Sequence, residues 1–403
     1  MDRDILLILA SRVLRSMAAG ALGIVTSLYL YNVIHLSLTL IGIFFGVGAF
    51  TAPALSLYFG RLGDKYGRKN MLMLATAMLP MATAILLLTR NYGLLLVAAA
   101  LGGFGTAGAL ASGSVGAVVA PMMTAILADK TKESERTMTY SLLNVGSGLA
   151  GAVGVLMAHL GYSESFTISL ILSAISLIAI APIRDDYRPR TITKTRDERS
   201  GERDRKIMKM FAAVGMLNGT GQGLVTPFLP ILFELLFHAT RDVISNIFFL
   251  GGVGAALMSL ATPALTQRMG FLNAIIVTRT ISTAALVALP FIEYLPLGND
   301  LIIAVMAYLI FVMFRVAALP AQQSLMMGLV SREARSTTAG VNQAARLFPS
   351  AVATTASGAM LDYLPIPVPF TLALIVNAAN IYLYKKFFGS MAFDGRKISA
   401  SLE

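Results

Sequence analysis

The chain has no cysteine and no tryptophan, only three histidines, and few charges: 13% of its 403 residues are charged, against 56% hydrophobic. Each shortage excludes something. Without cysteine there is no disulfide framework, no thiolate-held zinc or iron–sulfur centre and no thiol nucleophile. Soluble proteins carry about 25% charged residues, so half the usual polar coat is missing. With a mean hydropathy of +0.73, lipid must solvate much of the surface. A soluble enzyme, a disordered chain and a nucleic-acid-binding module are excluded as first readings. His35, His159 and His238 stand alone at expected outer helix ends. There is no HExxH, no nucleophile elbow and no paired carboxylates, so neither an enzyme, a metal nor a cofactor is read.

What is present is a series of long apolar runs. Stretches of about 20 apolar residues read as membrane-spanning helices, and twelve are found: 5–33, 38–60, 70–89, 93–128, 137–159, 164–183, 207–237, 243–264, 271–290, 300–330, 336–361 and 366–387. The first is too long for a signal-peptide core and reads as a retained span. Runs of this length exclude barrel strands, because backbone in lipid must satisfy its own hydrogen bonds and only helices do so at this length. Between the sixth and seventh runs the texture changes: residues 184–206 hold fifteen charges, nine basic and six acidic. This reads as a solvated cytoplasmic linker between two six-helix halves, 1–183 and 207–403.

Lysine and arginine set the orientation. With the N-terminus placed in the cytoplasm, 25 of the 32 fall on cytoplasmic turns, the linker or the tails. Two, Arg90 and Arg241, fall outside, and five (Arg12, Arg15, Arg279, Arg315, Arg346) lie within spans. The positive-inside rule then puts both termini in the cytoplasm of a multi-pass cell-membrane protein, and the net charge of +11 needs no nucleic acid. Arginine outnumbers lysine 22 to 10, which points, thinly, to a prokaryotic source.

The halves also echo each other. Gly23-Ile-Val-Thr26 is matched by Gly223-Leu-Val-Thr226, Pro121 and Arg136 by Pro320 and Arg335, and Gly60-x-Leu-x4-Gly67 by Pro263-x-Leu-x4-Gly270, at offsets of 199 to 203. Three matches in order argue for parallel duplication of a six-helix unit. The loop after the second run reads Gly60-Arg-Leu-Gly-Asp64-Lys-Tyr-Gly67-Arg68-Lys69. It resembles the G-x-x-x-D-x-x-G-R-[RK] signature of the major facilitator superfamily, in the place that family carries it.

The resemblance implies an all-α integral membrane fold of two pseudo-symmetric six-helix bundles and a secondary transporter working by alternating access. It implies that Gly60, Asp64, Gly67 and Arg68, with Asp129 as carboxylate partner, latch the halves on the cytoplasmic face. The second half carries Gln267, Arg268 and Phe271 instead, so any such latch is asymmetric. It also implies that spans one, four, seven and ten line the cavity, while three, six, nine and twelve face lipid. The partners are then a small-molecule solute and the bilayer, with a coupling ion left open and a monomer expected.

Charge inside the membrane is costly and therefore informative. None of the 21 acidic residues falls at mid-depth; Glu234 and Asp362, near outer ends, are the nearest candidates for coupling. Arg315 lies mid-span, and Arg346 is 11 residues into span eleven, roughly 16 Å deep. Guanidinium without an acid at its own depth suits a carboxylate, phosphate or sulfate. Bonding to helix-end carbonyls or to amides such as Gln322 and Gln343 is the plain structural alternative. Asn218 and Gln222, four apart on one face, join Gln322, Tyr29 and Asn144 as cavity candidates. Arg279, on a span the resemblance turns to lipid, reads as structural. The substrate expectation is an organic or inorganic anion. Efflux of amphipathic drug-like compounds is the alternative and a transport-dead sensor the remote one.

Overall fold

The computed structural model describes residues 3–104, 119, 123, 126, 133–183, 198–294, 298–331 and 334–399. Among them all regular structure is helical. The α-helices are α1 Arg3–Asn32, α2 Leu38–Tyr66, α3 Arg68–Leu88, α4 Tyr92–Gly102, α5 Glu133–Val155, α6 Tyr162–Ile180, α7 Glu198–Gly223, α8 Leu229–Phe237, α9 Arg241–Ala288, α10 Asp300–Leu329, α11 Arg335–Tyr363 and α12 Pro367–Ser399. Eight described segments are long and apolar enough to cross a membrane.

The apolar runs map onto these helices with instructive departures. Span seven is two helices: α7 stops at Gly223 and a 3₁₀ turn, Thr226–Phe228, leads into α8. Pro227 and Pro230 have no N–H to continue the ladder there. Spans eight and nine form the two limbs of α9, which breaks direction at Gly270 (φ 79°, ψ 161°). The fourth run, expected over 93–128, is described as helix only to Gly102, where Gly103 turns left-handed at φ 63°. Residues 198–206, expected in the charged linker, are instead the first turns of α7. Asp204 anchors them, accepting from Ser331 N (3.1 Å) and Ser331 Oγ (2.5 Å) beyond the end of α10.

The duplication is visible in the backbone. Gly67, between α2 and α3, has φ 97° and ψ 132°, matching Gly270 203 positions on. Such a conformation suits glycine alone, so the repeated glycine keeps a repeated corner. His35 (φ 57°) and His238 (φ 49°) are likewise 203 apart, each in the turn after the first span of its half. Backbone approach repeats too. A Cβ on Gly20 of α1 would fall on the Gly151 carbonyl oxygen of α5, and one on Gly219 of α7 on the Arg346 carbonyl oxygen of α11. Lipid gives no hydrophobic drive between helices, so close van der Waals contact through such glycines holds them.

The two sets of six helices meet most closely at the end carrying the α1–α2 turn, the outer end in the orientation read from the basic residues. There a Cβ on Gly358 of α11 would collide with the Leu38 carbonyl oxygen of α2, and one on Gly252 of α9 would come 2.8 Å from the Ala152 side chain of α5. One buried apolar cluster spans both sets at this end, including Leu28, Phe44, Phe233 and Tyr308. Toward the other end the buried apolar residues separate into two clusters. One surrounds Ile8, Leu72 and Ile180 and is joined from the second set by Leu347; the other surrounds Phe211, Leu325 and Phe388. Among the described residues the two sets thus share one cluster at the first end and pack mainly in separate clusters at the other, with Leu347 crossing between them.

The α7–α11 seam predicts a paired result. Gly219→Ala should lower stability in detergent by about 1–3 kcal/mol, because the methyl has no room. Gly340→Ala on α11, where nothing lies within 4 Å of the added carbon, should be neutral or stabilising by up to about 1 kcal/mol. Thermal unfolding of both variants checks this.

Candidate functional site

The polar groups of α7 organise the interior of the second set of helices. Asn218 and Gln222 sit one turn apart and both are buried. The Asn218 amide oxygen accepts two hydrogen bonds, from Arg315 Nη2 of α10 at 2.7 Å and from Arg279 Nη1 of α9 at 3.2 Å. Arg279 Nη1 also donates to Asn380 Oδ1 of α12 (2.7 Å), and its Nη2 to Gln322 Oε1 of α10 (2.9 Å). Its guanidinium carbon stands 5.1 Å over the Tyr384 ring, a cation–π contact. Asn380 is held in turn by donating from Nδ2 to the Val214 carbonyl of α7 at 2.6 Å.

Arg346 joins from α11, its backbone against Gly219. Arg279, Arg315 and Arg346 lie in one another's field. Arg279 is buried, whereas Arg315 and Arg346 are half-buried and so present part of their surface to open space. The acidic residues of α7–α12 stand at helix ends or in turns, not at this depth. Among the described residues, Asn218 Nδ2, Arg279 Nε, Arg346 Nε and Asn377 Nδ2 are buried donors without partners; Asn342 Oδ1 is an acceptor in the same condition. Three amide oxygens are thus consumed by guanidinium, and the groups left over are mostly donors. Such a lining favours a ligand that only accepts.

Sequence reading placed Arg279 on a peripheral span as a structural residue, and its buried guanidinium does tie α7, α9, α10 and α12 together, turned into the bundle. A guanidinium facing lipid is costly, and its long stem lets the head fold back into the bundle. The residues that receive it, Asn380 and Tyr384, were missed along with Asn377. Their signal was the row Asn377, Asn380 and Tyr384 on an otherwise apolar twelfth span, at spacings of three and four. Gln322 is buried where expected. Tyr29 is elsewhere: it packs in the first set of helices, edge-on to Phe166 at 5.1 Å and tilted on Tyr162 at 5.8 Å. The Asn144 side chain lies outside what is described, as do Asp129, the surroundings of Gly60 and the side chains of Asp64 and Arg68; of the signature loop the helical backbone and the Gly67 corner are seen.

Glu234 and Asp362, the coupling candidates, are engaged at the outer end. Glu234 Oε2 accepts from Asn32 Nδ2 at 2.9 Å, tying α8 to α1. Asp362, at the end of α11, accepts from Leu38 N (3.0 Å), Thr39 N (2.7 Å) and Thr39 Oγ1 (2.5 Å). It therefore caps the N-terminus of α2, where unsatisfied N–H groups and the helix dipole favour an anion. Ser245 Oγ donates to the Val155 carbonyl (2.9 Å) and Arg241 Nη2 to the His159 carbonyl (3.5 Å), adding α9–α5 ties. Every one of these joins one set of six helices to the other.

The family model described as Major Facilitator Superfamily matches residues 8–354. The chain belongs to the major facilitator superfamily. Solved structures similar to this transporter include the nucleoside transporter NupG, at 12% identity over 96% of this chain and 100% of that one, with a TM-score of 0.76. A D-xylose-proton symporter matches at 14% identity over 95% and 97% with a TM-score of 0.74, and the human organic anion transporter MFSD10 at 16% over 95% and 99% with 0.61. At such identities the fold is what these likenesses share. Comparison with curated protein sequences finds no match. This superfamily member accordingly has the twelve-span helical fold, and its activity is membrane transport.

The Asp362 contact predicts a gating effect. Thr355, on α11 beside Gly42 of α2, is a reporter position in a chain free of cysteine. Thr355→Cys should react slowly with a membrane-impermeant maleimide from outside in cells. Adding Asp362→Asn, which weakens acceptance from two backbone N–H groups, should raise the alkylation rate about tenfold, for a loss of roughly 1.4 kcal/mol of closure.

Proposed function

We propose that this transporter moves a small organic or inorganic anion by rocking its two bundles, residues 1–183 and 207–403, about the guanidinium cluster. The observation that carries the reading is the hydrogen-bond inventory around Asn218. Arg279 and Arg315 both donate to its amide oxygen, which turns the amide Nδ2 the other way as an unpartnered donor. A carboxylate, sulfonate or phosphate entering beside Arg315 and Arg346 meets donors from several helices. A neutral or cationic solute meets fewer of the acceptors it needs, Asn342 Oδ1 being the unpartnered amide oxygen among the described residues.

The proposed membrane is the cell membrane, with N- and C-termini cytoplasmic and the charged segment 184–206 between the halves on that side. In that orientation the shared cluster at the outer end and the mainly separate clusters at the inner end, among the described residues, support an inward-facing reading. Alternating access then requires the Asp362, Glu234 and Ser245 ties to release while the two inner clusters close. With the outer carboxylates occupied as ties, exchange or uniport of the anion fits the residues better than proton coupling through them.

Thermal unfolding of detergent-purified protein tests the reading, since a ligand of the native state raises stability by mass action. Dicarboxylates, sulfonates and phosphate esters are set against lipophilic cations. An anion should stabilise the wild type, and Arg315→Gln should lose at least tenfold in apparent affinity, about 1.4 kcal/mol. Arg279→Lys keeps the charge but not the fork across Asn218, Asn380 and Gln322. It should therefore weaken anion binding while the protein remains folded. Stabilisation by lipophilic cations alone, unchanged in both variants, would favour efflux of amphipathic compounds and end the anion reading.

A further inference from the structure

Only two of the 32 lysines and arginines were assigned to the outer side from sequence, Arg90 and Arg241; Arg90 lines an aromatic cleft, and Arg241 stacks on Tyr162, a residue of its lining. A cavity of about 310 Å³ opens at the outer ends of α1, α3 and α6. One wall is apolar, formed by Tyr29, Val33, Leu86 and Phe166; Arg90, Tyr162 and Ser163 form the polar rim. Arg241 stacks over the far neighbour, its guanidinium carbon 4.9 Å from the Tyr162 ring, with Nε buried and unpartnered among the described residues.

The rim presents donors. The N-cap of α6, Gly161, offers no side-chain cap, and the first helical bond there runs from Ser165 N to Gly161 O. The preceding N–H groups of Tyr162, Ser163 and Glu164 therefore have no helical acceptor. The exposed Arg90 faces the same rim. One carboxylate competes: Glu164, in the first turn of α6, curls back over Gly161. The neighbouring surface is strongly apolar, with Leu88 82% exposed.

We propose that this cleft holds an anionic phospholipid, its phosphate on Arg90 and the α6 N-terminus and its upper chain against Phe166, Leu86 and Val33. Three features select this occupant over a soluble solute. The cleft lies at the depth where α3 and α6 end, which is the headgroup level. Its polar rim offers an anion-binding pair of guanidinium and free helix N–H groups. Its remaining wall is apolar and aromatic, of the kind that sits at a membrane interface. Its volume equals about ten water molecules, enough for a headgroup and the first few methylenes. The site is separate from the guanidinium cluster of α7–α12 and stands whether or not that cluster carries an anion.

The full chain in a neutral detergent is titrated with phosphatidylglycerol, with phosphatidylcholine and with inorganic phosphate, following thermal unfolding. Phosphatidylglycerol should raise the midpoint by a few degrees more than phosphatidylcholine. Arg90→Gln should abolish that difference, Arg90→Lys should keep part of it, and Glu164→Gln should enlarge it by removing the competing charge. Arg315→Gln should leave it intact, so failure of this site is separable from failure of the transport reading. Equal shifts from the two lipids, a preference surviving Arg90→Gln, or reproduction of the full shift by inorganic phosphate would each overturn the proposal.

Discussion

A guanidinium enclosed by helices in lipid must find acceptors, and much of the second set of helices is arranged by that requirement. Arg279 stands on the second limb of α9, yet its partners come from α7, α10 and α12. One cation thereby fixes the mutual positions of four helices that apolar packing alone would leave free to slide. Charge-assisted hydrogen bonds contribute roughly 1.5–3 kcal/mol each, more than any single methyl contact. The Asn218 oxygen, accepting from two guanidinium groups, is used up, and the oxygens of Gln322 and Asn380 each have one acceptance taken. The interior is left rich in donors as a direct consequence of keeping the bundle together.

The same economy of contact governs the seams. Each half crosses its first helix on its fifth through glycine, Gly20 on Gly151 and Gly219 on Arg346. The backbones come close enough that no side chain intervenes. Such a seam is rigid, and the junction between halves is built in a similar way: Gly42 and Gly46 of α2 pack against Gly358, Thr355 and Ala351 of α11, beside a shared apolar cluster and a few polar ties. Crossings repeated within each half, with the apolar contact between halves gathered toward one end, are compatible with the proposed rocking of two bodies.

The fold was legible because its signals are long and redundant. Twelve apolar runs, a duplicated set of glycines and prolines and a signature loop all agree, and the backbone repeats at Gly67 and Gly270 follow the offset read in the residues. The site was only half legible. Arg315, Asn218 and Gln322 stood out as polar residues on expected inner spans. Arg279 was read as structural, which its ties fit, but its inward reach was not legible because a rule about which spans face lipid describes helix axes, while a long side chain can reach the interior from a peripheral axis. Asn380 and Tyr384 were missed for the same reason, on a span judged by its average hydropathy. Tyr29 failed differently: its span is central, but its ring lies at the outer end against Phe166, and depth along a helix is as decisive as the helix itself.

The outer carboxylates show how location converts one chemistry into another. Asp362 at mid-depth would be a proton carrier. At the helix end it is a cap on α2, accepting from two backbone N–H groups and one hydroxyl. Two such bonds to a carboxylate are worth at most about 3–6 kcal/mol, less where water competes. Moving a two-state equilibrium from 1:99 to 99:1 takes about 5.5 kcal/mol. On the proposed rocking of the two bundles, the tie is of the size that would set which face is open, and it is weak enough for differential solute binding to oppose it. A latch built from many buried ion pairs would hold one state permanently. A few hydrogen bonds at the rim leave both states within reach of a ligand that prefers one of them.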